Sequence, residues 1–213
     1  MRVNSERGRP EYLPLALTQG PRGPSAYPMG KGSGPVTTCS GADGFITIDQ
    51  HTEILDAGST VSVQFLGQRL EPADLVIVGS HCTGLDLVTA PLAHAGLVVR
   101  SIAVGSLGGL AAAKRGECDF APIHLFDDKT ETYNTPFLGD GLELAPGWRR
   151  MQGIVFRSGD PRFEGRSAED AVRAALADPA CIMVNRNQGA GTRILIDRLL
   201  GDARPDNYCT QPR

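Results

Sequence analysis

Alternation of apolar and polar positions opens the chain. Tyr12-Leu13-Pro14-Leu15-Ala16-Leu17, Gly44-Phe45-Ile46-Thr47-Ile48 and Thr60-Val61-Ser62-Val63-Gln64-Phe65 each read as a short strand, the last with the cleanest period of two. Between the first two, Gly20 to Pro35 holds too many glycines and prolines for a helix and reads as a loop. Short strands punctuated by breakers predict a small β-barrel or β-sandwich over residues 1–70.

From Ala73 onward the pattern changes. Leu75-Val76-Ile77-Val78-Gly79 is a continuous apolar run stopping at glycine, the mark of a buried parallel strand. Helical spacing follows from Leu85 to Ala95. Val98 to Val104 predicts a second strand, Gly108 to Arg115 a short alanine-rich helix, and Asp119 to Ile123 a third strand. Lys114 and Arg115 stand where the helix dipole favours cations, and Gly116 supplies the stop. This β-α-β-α-β order implies a right-handed parallel layer. Residues 127–147 read as a loop and Gly153 to Phe156 as a strand. Ser167 caps a helix ending at Leu176, Cys181 to Val184 is a strand, and Thr192 to Leu200 is a helix.

Composition narrows the class. A length of 213 residues suits one or two domains, and 26 glycines with 15 prolines disfavour a helix bundle. With 21 basic against 24 acidic residues, nucleic-acid binding through bulk charge is not expected. No apolar run approaches the roughly 18 residues of a membrane span, and no charged-then-apolar leader opens the sequence. The expectation is a cytoplasmic protein with no membrane contact. The five cysteines (Cys39, Cys82, Cys118, Cys181, Cys209) lack any C-x-x-C pair, which predicts reduced thiols rather than a disulfide framework or a zinc site.

Three strand-to-helix turns carry the candidate chemistry. In Asn185-Arg186-Asn187-Gln188-Gly189-Ala190-Gly191-Thr192-Arg193 a strand ends, small and polar residues follow, and a helix begins. Helix-start N–H groups lack intrahelical partners and sit at the positive end of the dipole. Gly189 and Gly191 let backbone approach a ligand, Thr192 adds a hydroxyl, and Arg193 or Arg186 adds a forked cation. The same residues also serve a well-capped turn with surface arginines. Gly79-Ser80-His81-Cys82-Thr83-Gly84 and Gly105-Ser106-Leu107-Gly108-Gly109 follow the first two strands. In a parallel sheet such turns share one edge, where ligands bind. Together they describe an anion site.

Other motifs fail on detail. Gly79 and Gly84 have phosphate-loop spacing, but Leu85 and Asp86 replace the Lys and Ser/Thr. Gly105 to Gly109 is not a dinucleotide fingerprint. His81 beside Cys82, with His124 further on, suggests a thiol nucleophile only if geometry joins them. Asp127, Asp128 and Glu131 read as a solvated loop.

Two resemblances add to this. Through Arg7-Gly8-Arg9-Pro10-Glu11-Tyr12, Gly32-Ser33-Gly34, Ala42-Asp43-Gly44-Phe45 and Ala57-Gly58-Ser59-Thr60-Val61, residues 1–70 resemble the C-terminal β-barrel domain of MoeA-type molybdopterin molybdotransferases. Through Gly79-Ser80, Ala103-Val104-Gly105-Ser106, Gly116-Glu117-Cys118-Asp119 leading to Ile123-His124, and Asn185 to Arg193, residues 73–213 resemble a periplasmic-binding-protein-like domain similar to tungstate and molybdate transporter binding proteins. The implied fold is β plus α/β: a small barrel, then an incomplete type II periplasmic-binding-protein-like domain, with the chain read as a fragment cut at both ends.

The implied role is molybdenum cofactor assembly. MoeA-type enzymes insert molybdate into molybdopterin with Mg²⁺ and release AMP, through a catalytic domain expected elsewhere in the parent chain, in a homodimer. No catalytic residue transfers to this segment. By resemblance, Ser80, His81, Ser106, His124, Asn187, Gly189, Gly191, Thr192 and Arg193 line a molybdate- or tungstate-type oxyanion. The alternative is a regulatory module sensing a pterin or other small molecule for a transcription factor or partner enzyme.

Overall fold

A computed structural model describes residues 2–30, 41–67, 73–149, 151, 153–185, 191–204 and 207–210. The chain forms two compact units, Met1–Val104 with Gly108–Pro122, and Gly105–Leu107 with Ile123–Arg213. The division expected at residues 70–73 falls inside the first.

In the first unit, β1 (Val3–Asn4) pairs antiparallel with a distant two-residue strand, while β2 (Glu11–Gly20) is the centre of a four-stranded sheet. Antiparallel to β2 run β3 (Gly23–Pro28) on one side and β4 (Gly44–Ile48) on the other. The partner of β1 is β5 (Ile54–Leu55), and β6 (Gln64–Phe65) extends the sheet beside β4. The sheet order is β3-β2-β4-β6, open rather than closed into a barrel among the described residues. Leu13, Leu15, Ile46, Ile48 and Val3 build a core on one face, with Leu55, Val61 and Val63 against it.

Two strand expectations change here. The breaker-rich stretch after Gly20 is not all loop, because Gly23–Pro28 pairs with β2 from Leu15 to Gly20. Pro21 and Arg22 make the connecting turn, and β3 lies at the sheet edge, where Pro24 and Pro28 are tolerated. The clean alternation of Thr60 to Phe65 forms a strand only at Gln64–Phe65, since Gly44 and Phe45 alone lie opposite.

The parallel layer begins with β7 (Leu75–Gly79), followed by α1 (Thr83–His94), β8 (Val99–Ala103) and α2 (Gly105–Lys114). The register runs from Leu75 opposite Val99 to Gly79 opposite Ala103. The expected third strand shrinks to one parallel bridge, Phe120 to Ile77, flanked by bonds from Val78 N to Phe120 O and from Ser80 N to Pro122 O. Val78 and Ile102, with Ala112 of α2, are buried against Ala16 and Tyr27 of the antiparallel sheet. Gly109 lets α2 approach β7: a Cβ there would lie 2.5 Å from Val78 O and from Gly79 Cα.

In the second unit, β9 (Phe126–Asp127) and β10 (Thr132–Tyr133) form a small hairpin followed by a 3-10 turn at Thr135–Phe137, inside the stretch expected to be loop. Gly153 to Phe156 does not form a strand. No strand lies beside it among the described residues, and Val155 is 99% exposed. The helix α3 (Ala168–Leu176) is capped as expected, Ser167 Oγ accepting from Asp170 N at 3.1 Å. The strand β11 (Ile182–Asn185) precedes α4 (Gly191–Leu200), and the unanticipated β12 (Asn207–Thr210) pairs parallel with β11. No helix among the described residues is long and apolar enough to cross a membrane.

Candidate functional site

The parallel strands β7 and β8 end side by side at Gly79 and Ala103. The helices after them begin without side-chain caps: Cys82 precedes α1 and Val104 precedes α2, and neither side chain bonds the first turn. The contrast with Ser167 matters, because a capped helix start spends its side chain on donors that a ligand would otherwise use.

Ser106 lies in the first turn of α2, just after Gly105, whose φ of +76° makes the entry turn. It is 2% exposed. Its hydroxyl accepts from the backbone N–H of His124 at 3.1 Å and pairs with His124 Nδ1 at 3.1 Å. The sequence names both residues, and the second unit brings them together. A hydroxyl that already accepts from a backbone donor has its own proton to direct, toward the imidazole or toward an incoming oxygen.

At the start of α4 the picture differs. Gly191 is its first residue and Thr192 is half-buried. Arg193 points its Nε at Asp197 Oδ2 at 2.6 Å, one turn along the same helix. The other carboxylate oxygen accepts from Asn185 Nδ2 at 3.2 Å, and Asn185 is 1% exposed. An oxyanion recruiting Arg193 must therefore compete with Asp197. Neither Asn185 nor Asp197 stands among the expected contacts, although the four-residue spacing of Arg193 and Asp197 is the ordinary signal of a helical ion pair. Asn187 and Gly189 lie outside the described residues.

Ser80 is half-buried after β7, its N–H taken by Pro122 O at 2.8 Å. His81 is exposed, with Nε2 2.8 Å from Asp86 Oδ1. Both imidazoles suggested as bases for Cys82 thus have other partners, His81 with Asp86 and His124 with Ser106. Among the described residues no three His, Cys, Asp or Glu side chains converge as for a metal ion. Asp127 accepts from Thr130, and Glu131 from Arg198 at 2.8 Å. The four described cysteines are free thiols.

A second polar cluster escapes sequence reasoning entirely. In the first unit, Glu117 is 7% exposed. Arg115 grips it with two bonds, Nε to Oε1 at 2.8 Å and Nη2 to Oε2 at 2.6 Å. Ser25 Oγ donates to Oε1 at 2.9 Å and the Tyr27 hydroxyl donates to Oε2. The guanidinium of Arg115 holds the Glu117 carboxyl down at about 2 despite burial, with Tyr27 and Ser25 adding to the effect. Burial, and then the bond to Glu117, push the Tyr27 phenol well above its ordinary range. Nearby, Arg100 Nη1 donates to Asp43 Oδ2 and to Leu17 O at 3.3 Å, while Asp43 accepts from Leu17 N at 2.7 Å.

Comparison with known proteins adds two family matches. A model described as a PBP superfamily domain matches residues 89–208, more than half of the chain. One described as the MoeA C-terminal region (domain IV) matches residues 1–66. Over 102 residues the chain is 31% identical to the uncharacterized protein YvgK of Bacillus subtilis (strain 168), a stretch covering 46% of this chain and 31% of that protein. The chain thus spans about a third of the length of the curated relative it matches. No solved structure matches it.

Proposed function

We propose, for a chain that belongs to the PBP superfamily and carries a MoeA C-terminal region ahead of that domain, a role in molybdenum cofactor biosynthesis in which the α/β part binds molybdate or tungstate. The MoeA-type region supports the cofactor family, and the PBP-like domain supports ligand binding. The observation that carries the oxyanion reading is Ser106 with His124 at the uncapped first turn of α2.

The chemistry is recognition rather than reaction. A tetrahedral dianion needs several convergent donors and no proton removal. First-turn N–H groups supply donors aligned with the dipole. Either the Ser106 hydroxyl or the His124 Nε2–H supplies one more, and both donate only when the imidazole is protonated, which also adds charge. Thr192 and Arg193 belong to the same proposal, with Arg193 exchanging Asp197 for the anion. Mg²⁺ and molybdopterin enter this proposal only through the parent protein; among the described residues no three His, Cys, Asp or Glu side chains converge as for a metal ion. We assign them to a MoeA-like catalytic domain of a cytoplasmic, dimeric parent, and route no step through them.

Replacing Ser106 by alanine is expected to weaken molybdate binding about tenfold, the loss of one hydrogen bond to a charged acceptor. Ligand-induced thermal stabilisation, compared between the two proteins, reads this directly. Equal stabilisation would remove Ser106 from the site.

A further inference from the structure

The two family segments meet inside the first unit. The register of β7 and β8 places Val76, Val78, Arg100 and Ile102 on one face of the parallel pair. A parallel sheet is stable with both faces covered, ordinarily by helices. Here Val78 and Ile102 are buried against Ala16 and Tyr27, which lie opposite each other on β2 and β3. The antiparallel sheet takes the position of a covering layer.

Three further features cross the same boundary. Glu117 draws Ser25 and Tyr27 from β3. Arg100 reaches from β8 to Asp43 and to the carbonyl of Leu17. The β2–β3 turn fits the turn after α2: a Cβ on Gly20 would stand 3.1 Å from Glu117 Cγ, and one on Gly116 3.0 Å from Pro21 Cγ. On the same face the Thr18 hydroxyl is 2% exposed and has no hydrogen-bond partner among the described residues.

We infer that the MoeA-type sheet is a permanent covering layer of the parallel sheet, so that the two segments open and close as one cooperative body rather than as separable modules. The face of Ala16, Thr18, Ser25 and Tyr27 is then closed to any other protein, and a partner of the MoeA-type region must use its remaining surfaces.

Hydrogen exchange on the full chain, followed by mass spectrometry, tests this with two variants of opposite sign. Tyr27→Phe removes one bond to a buried carboxylate. It is expected to speed exchange about tenfold in residues 75–79 and 99–103 as well as in 11–20. Thr18→Val replaces this buried hydroxyl, unpartnered among the described residues, with a methyl group and is expected to slow exchange in both segments. Changes confined to residues 2–66, or no change from either variant, would overturn the inference.

Discussion

Replacing Glu117 by alanine is expected to lower the unfolding free energy of the chain by about 3 kcal/mol, measured by urea denaturation at pH 7. Breaking a buried ion pair by removing one partner costs about 3–5 kcal/mol, because the other charge loses its compensation. The lower end applies, since the Arg115 side chain is 38% exposed and water can reach it. The Tyr27 and Ser25 hydroxyls lose their acceptor at the same time. A loss below about 1 kcal/mol would mean the cluster behaves as a surface pair.

The same carboxylate sets an acid limb. Its folded value of about 2 lies below the roughly 4.3 of an ordinary glutamate. A depressed carboxylate contributes stability that is fully present above the unfolded value and is lost as pH falls through the folded one. Stability attributable to Glu117 should therefore fade between about pH 4 and pH 2. Glu117→Gln should flatten that limb.

Gly109→Ala is the second large effect. Helix propensity alone favours alanine by about 1 kcal/mol in a helix interior. Packing outweighs it here, because the new Cβ would lie 2.5 Å from two main-chain atoms, Val78 O and Gly79 Cα, which have no rotamer to change. Nor can β7 retreat freely, since Gly79 itself leaves no room for a Cβ against Pro122 O at 2.5 Å. Overpacking costs about 1–3 kcal/mol and more where the neighbours are main chain, so a net loss of about 3 kcal/mol is expected. Thermal unfolding of the variant checks it, and a rise in midpoint would show that α2 is less closely seated than described.

Local order was readable where one segment carries its own signal. Leu75–Gly79 announces a buried parallel strand by apolar continuity, and Ser167 announces a helix start by its side chain. The stretch read as alternating, Tyr12 to Leu17, instead belongs to a strand, β2, with buried residues on both faces, Leu13 and Leu15 on one and Ala16 and Thr18 on the other. What covers the second face is a long-range fact. Tyr27 and Glu117 lie 90 residues apart, and neither residue type predicts the other. Gly153 to Phe156 shows the reverse error, β-prone residues without a neighbouring strand among the described residues. At the candidate site, Ser106 and His124 were both legible as turn residues, but their mutual bond depends on the fold. The partner of Arg193 was legible by helical spacing.

What the α/β part holds separates an oxyanion site from a pterin site. Isothermal titration of the chain with molybdate, tungstate, sulfate and a pterin in separate runs addresses it directly. The reading predicts saturable one-to-one binding of molybdate or tungstate and no heat of binding with the pterin. Pterin binding without binding of either metal oxyanion, or no saturable binding at all, would contradict it.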